Sequence, residues 1–257
     1  MHQPTLLAIA AVVYLAAKVV HEGLGHGGAC VLTGHELVGF TTSWCDCTVP
    51  PEHVGAERIV TAAGTVANLA IGGLAFVFLR GDWAPATRYA LWLTAAVNSL
   101  LGAGYLFADP LFGFGDWTSI LDSYGVPTSL RVVWGVCAGA IYVGLGFLLL
   151  RALEPLLGAT QCKPKARALM LWPYLLIGGG LMTAAALRNP LGPVYALTSA
   201  LATVGGTSAL AWMSAAAEAT GSRTDVVIPR NNGWLLAGVA AMGLAVFVFG
   251  PGVFPNG

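Results

Sequence analysis

Between Val19 and Gly28 the chain reads Val19-Val20-His21-Glu22-Gly23-Leu24-Gly25-His26-Gly27-Gly28. Two imidazoles and a carboxylate fall within six positions of an apolar run. Ionisable groups inside such a run are costly and usually functional. Two histidines with a glutamate beside them are the parts of a hydrolytic metal site. Neutral imidazoles hold a divalent cation, and the carboxylate takes a proton from a water that the cation has acidified to a pKa of about 7. The plainer alternative is a polar cluster that joins helices, or histidines satisfied in a packed core.

The spacing departs from H-E-x-x-H by one residue, because three residues separate Glu22 from His26. On a regular α-helix a five-residue step overshoots one face by roughly 140°, so Glu22 and His26 would share a face and His21 would not. Two solutions follow. A π-bulge absorbs the extra residue and brings His21 and His26 to one metal; glycines at 23, 25, 27 and 28 make that distortion cheap. Alternatively Glu22 and His26 are the ligands and His21 acts beside them. The first preserves the chemistry of the motif. The His/carboxylate set, without a redox motif, favours zinc.

The elements that must position these groups are membrane helices. Of 257 residues 56% are hydrophobic and 9% charged, with a mean hydropathy of +0.74. A soluble domain carries roughly a quarter charged residues. The reading is an all-α polytopic membrane protein in one domain, with lipid as partner and no basic surface for nucleic acid. About 20 apolar residues cross a bilayer, and seven segments qualify: residues 4–32, 58–79, 87–108, 130–150, 168–187, 194–217 and 233–249. The first is read as a retained helix, not a signal peptide, since it lacks a basic start.

After the first span, the strand-favouring Leu37, Val38, Phe40, Thr41, Thr42 and Trp44, with Gly39 for a turn or bulge, predict a short β-hairpin dipping back toward the membrane. Lys and Arg in short loops set orientation. With a cytoplasmic N-terminus, Arg80, Arg88, Arg151, Lys163, Lys165, Arg167, Arg223 and Arg230 all fall inside, and Arg58, Arg131 and Arg188 outside. The expectation is a cell-membrane protein with its N-terminus in the cytoplasm and its site toward the outer face.

Three stretches in this order resemble the site-2 protease family of intramembrane zinc metalloproteases. His21–Phe40 is similar to its H-E-x-x-H helix and following strand. Ala62–Gly72 is similar to its G-x-x-x-N helix, with Gly64 and Asn68 in those places. The segment from Asn98 through Asp109-Pro110-Leu111-Phe112-Gly113-Phe114-Gly115-Asp116-Trp117 occupies the place of its Pro-containing stretch ending in Asp-Gly. The resemblance covers residues 1–127 and leaves 128–257 as additional helices. It implies an α-helical membrane fold, hydrolysis of a peptide bond in a membrane protein or peptide, His21, His26 and Asp116 as zinc ligands, Glu22 as base and Asn68 facing the site. It also implies a site toward the cytosol, opposite to the charge count. The third motif reads Gly-Asp-Trp, which leaves Asp109 as a rival ligand and helix capping as an alternative duty for Asp116.

Lys18, one turn before His21, snorkels, pairs with Glu22 or serves the site. Cys45 and Cys47 are too close in sequence for unstrained pairing, so a disulfide of one of them with Cys30 is the alternative. A second metal site of these cysteines with His35 and His53 is a further one. An edge strand at Glu36–Trp44 would hold an extended peptide and favours a protease. Rival functions are a zinc-dependent amide or lipid hydrolase, a di-iron enzyme, for which five histidines are few, and a non-catalytic membrane subunit or transporter, for which paired halves are missing.

Overall fold

The computed structural model describes residues 1–158, 162–217 and 226–254; Arg223, counted above, lies outside them. Seven helices are long and apolar enough to cross a membrane. They are α1 (Gln3–Leu32), α2 (Val54–Phe78), α3 (Pro85–Phe112), α5 (Thr128–Leu157), α6 (Lys163–Ala186), α7 (Pro193–Ala216) and α8 (Asn232–Phe249). A short α4 (Asp116–Ser123) follows α3, and β1 (Glu36–Phe40) and β2 (Cys45–Thr48) form an antiparallel hairpin after α1. All seven spans lie close to the segments expected from hydropathy.

Helices α1 and α3 form the centre. In the most apolar stretch of α3 72% of residues are buried, against 22% in α5 and 17% in α8. The outer helices present Leu130, Val136, Ile141, Phe147, Leu236 and Phe247 outward, which is how a bundle meets lipid. Where α1 crosses α2, a Cβ on Gly25 would lie 2.5 Å from the Gly64 Cα. Small residues let membrane helices approach this closely, and here they press the motif of α1 against α2.

The caps of α1 follow from its sequence. The His2 side chain accepts from the Thr5 N–H at its start. At its end Gly34 turns with φ +80°, the Gly34 N–H reaches the Val31 carbonyl and the His35 N–H the Cys30 carbonyl, a Schellman ending. Between these ends the helix widens to π winding over Val20–Gly27. The chain then reverses into the hairpin, which has a bulge between Leu37 and Gly39, where glycine had been expected to permit one. Cys30 and Cys47 form a disulfide, and Cys45 is free.

The hairpin corrects one expectation. Strand β1 stops at Phe40, and Thr41–Trp44 form the turn. On its other side Phe40 exchanges both backbone hydrogen bonds with Val253. The outer edge of β1 is therefore taken at Phe40, and the strand ends there instead of running on to Trp44. The Phe40–Val253 bridge also puts the residues after α8 beside the hairpin, while the His2 N–H meets the Ile228 carbonyl at the opposite end of the bundle.

Helix α7 is broken at Thr207 and Ser208. Tyrosine hydroxyls satisfy the break: Tyr142 donates to the Gly206 carbonyl and accepts from the Ala209 N–H, and Tyr14 bonds Thr207 Oγ1. Irregular backbone at this depth is tolerated because protein buries it.

Candidate metal centre

The π winding decides the geometry that the spacing left open. It turns both histidines of α1 toward α2 and α4, with His21 Nε2 and His26 Nε2 3.2 Å apart. Asp116, the first residue of α4, brings its Oδ2 to 3.5 Å from the first and 3.3 Å from the second. Ligands bound at zinc distances of 2.0–2.2 Å in a tetrahedron stand about 3.3–3.6 Å apart. The three atoms therefore match three corners of such a site.

The outer nitrogens fix the tautomers. His26 Nδ1 is 2.7 Å from the Val60 carbonyl, which can only accept, so Nδ1 carries the proton. His21 Nδ1 donates to Asn68 Oδ1, also at 2.7 Å. The Asn68 amide is oriented in turn, donating to the Ala17 carbonyl and to Asn98 Oδ1. Both Nε2 lone pairs are left facing each other and a carboxylate, which is unfavourable without a cation among them and favourable with one. Metal-bound histidines are typically held in this way through the second nitrogen. The space is reserved as well: a Cβ on Gly64 would come within 2.5 Å of His26 Nε2 and 2.8 Å of His21 Nε2. The donor set thus fits a divalent metal ion.

Glu22 is buried beside them, and one ligand-type atom from each of His21, Glu22 and His26 lies within 4.8 Å of the others. That distance suits a base acting on a water between them. Lys18 approaches Glu22 at 3.9 Å.

The two aspartates separate into different roles. Asp109 accepts the Trp117 N–H at 3.1 Å, and its own carbonyl accepts from Thr118 Oγ1. Asp109 thus caps α4, while Asp116, the residue weighed as a cap, points at the histidines. Gly115, at φ +88°, makes the turn between them, and a Cβ there would collide with the Asp109 carboxylate.

Several contacts had no sequence signal. Tyr105 stacks on His21 with 4.6 Å between ring centroids, and Trp117 Nε1 donates to Thr65 Oγ1. The Val60 carbonyl is backbone and invisible to any motif. Asn98, noted only as the start of a stretch, supports Asn68.

A cavity of about 560 Å³ opens above the centre. One wall is the hairpin turn and β2, from Ser43 to Cys47. The facing wall is α7, whose Tyr195, Thr198, Ser199 and Ala202 follow the i, i+3, i+4, i+7 pattern of one helix face. Tyr195 meets Trp44 edge to face at 5.3 Å. The later half of the chain, which had no assigned role, thus supplies a wall of the site.

Cys30 and Cys47 are joined and so cannot act as ligands of a second metal site, and burial, then the Glu22 and Asp46 carboxylates, push the Cys45 thiol up to about 12. His35 and His53 share a hydrogen bond of 3.0 Å. Among the described residues the His/Cys/Asp/Glu trio close enough for a metal is His21, Glu22 and His26. No protein-family model matches the chain, and no curated protein or solved structure matches it.

Proposed function

We propose that this protein is a membrane-embedded zinc hydrolase that cleaves a peptide bond. The observation that carries the reading is the convergence of His21 Nε2, His26 Nε2 and Asp116 Oδ2 at 3.2–3.5 Å with both outer imidazole nitrogens already satisfied. Zinc, when bound, supplies Lewis acidity and a water of lowered pKa. Glu22 accepts the proton of the attacking water and passes it to the leaving amine as the C–N bond breaks. Asn68 and the Val60 carbonyl hold the imidazoles in orientation, and Asp109 holds the start of α4 so that Asp116 faces them.

Peptide as substrate is supported by β2. It pairs with β1 on one side, no described strand pairs its other edge, and Cys45–Cys47 line the cavity. An open strand edge beside a metal centre suits an extended chain. We place the site toward the extracytoplasmic face. Arg80, Arg88, Arg151, Lys163, Lys165, Arg167 and Arg230 lie at or near the helix ends away from the site, which favours the cytoplasm there. The Cys30–Cys47 disulfide at the site end agrees with an oxidising compartment.

The test is zinc per chain, by elemental analysis of detergent-purified protein. About one zinc is expected in the wild type and none in His21→Ala, His26→Ala or Asp116→Ala. Asp109→Ala should keep a site weakened roughly 10–100-fold, as for groups that orient ligands. A folded wild type without zinc, or full zinc in Asp116→Ala, would sink the reading.

A further inference from the structure

The ammonium of Lys18 lies at the inner end of the cavity, and the mechanism above gives it no task. The residue is 2% exposed yet lines the cavity. Among the described residues its Nζ makes no hydrogen bond, and its charged neighbour Glu22 stands at 3.9 Å, beyond hydrogen-bonding distance. Its three N–H donors are thus buried beside the Glu22 carboxylate with no hydrogen bond to it. A buried ion pair whose donors make no hydrogen bond is costly unless something completes it.

The shape of the cavity says where along a substrate that something lies. No residue of α1 before Lys18 lines it. Tyr14 and Ala17 are fully buried, and the Tyr14–Thr207 bond closes the bundle beneath. The cavity is blind at this end, so a chain cannot run on past Lys18. Lys18 is the one Lys or Arg of the lining, beside the Glu22 carboxylate, and Asp46, Glu57, Asp109 and Asp116 are the other acidic lining residues, so an anion in the cavity finds its ammonium partner at Lys18. Lys18 is also one helical turn from the proposed base. An anionic group bound there sits next to the reacting amide, on its amine side or its acyl side. The blind floor requires it to be a terminus.

We propose that Lys18 binds the free carboxylate of the substrate, so that the hydrolysed amide is one whose leaving amine carries that carboxylate. This rests on the hydrolase reading above and narrows its substrate class. Two sources share the chemistry: the C-terminal residue of a peptide, and an N-acyl amino acid from the lipid phase. Water adds across the terminal amide; the acyl group leaves as one carboxylic acid and the amino acid as the other product.

The experiment is equilibrium binding to the full-length protein in detergent, with and without zinc. The probes are N-acetyl-phenylalanyl-leucine, its C-terminal amide and N-lauroyl-leucine. Both free acids should bind about 10–100-fold more tightly than the amide, the range expected when a charged hydrogen bond replaces a neutral one. Lys18→Met should remove the preference and Lys18→Arg keep much of it, each with zinc content as the check on folding. Equal binding of acid and amide to the wild type overturns the proposal without recourse to any variant; so does a preference that survives in Lys18→Met. Acid preference in a protein that holds no zinc and hydrolyses nothing would sink the hydrolase reading and leave the carboxylate site standing. Zinc with hydrolysis but no acid preference would do the reverse. Tighter binding of the dipeptide than of the lauroyl compound assigns the peptide source, and the opposite order the lipid one.

Discussion

Two stretches of this bundle share a widened helical winding and little else. In α1, Val20–Gly27 carries His21, Glu22 and His26, all buried. In α6, Pro173–Leu181 reads PYLLIGGGL and carries no ionisable side chain but Tyr174. Both contain glycines that meet a neighbouring helix. In α1 the neighbour is Gly64, and the widening brings residues five apart onto one face, where their nitrogens converge. In α6 the neighbour is Tyr14, whose ring would lie 2.8 Å from a Cβ on Gly178. The same backbone device thus aligns functional groups in one place and makes room for an aromatic ring in the other. A π segment marks a constraint; the side chains it aligns decide whether the constraint is chemical or steric.

Four substitutions sharpen that contrast, in order of expected effect. Glu22→Gln removes the base while keeping the fold and the ligands, so hydrolysis should fall about 10²–10⁴-fold with zinc content unchanged; loss of zinc together with activity would make Glu22 a ligand instead. Gly64→Ala places a methyl where the imidazoles meet, and zinc affinity should fall by more than about 100-fold, beyond the range for an orienting group, with helix content by circular dichroism unchanged. Retained zinc would show that the histidines have room to spare. Asn68→Ala releases the His21 ring, and competition with a chelator should report roughly 10–100-fold weaker zinc. Gly178→Ala, the counterpart in α6, should leave zinc and activity intact and lower stability by about 1–3 kcal/mol through overpacking against Tyr14; a zinc defect there would mean the two segments are coupled.

Much of the fold was legible because long apolar runs follow one rule. A run of some 20 apolar residues must satisfy its backbone internally, so the helices could be counted from hydropathy. The hairpin was legible in existence and less so in register. Thr41, Thr42 and Trp44 have strand-favouring side chains, yet Asn189 binds Thr41 and Ser43, and the chain turns there; tertiary partners overrode propensity.

The sequence by itself determined that a trio able to hold a metal stood in the first long apolar helix, because residue type and spacing carry that chemistry wherever the chain goes. It also supplied the glycines that allow the helix to widen. The tertiary structure decided what the widened turn faces, since Gly25 packs against Gly64 there. It divided labour between Asp109 and Asp116, since a capping bond and a short turn at Gly115 separate residues that look alike in the chain. It brought α7 across as the second wall and left Lys18 at a blind floor, because contacts between residues nearly 200 positions apart are set by packing and have no local signal.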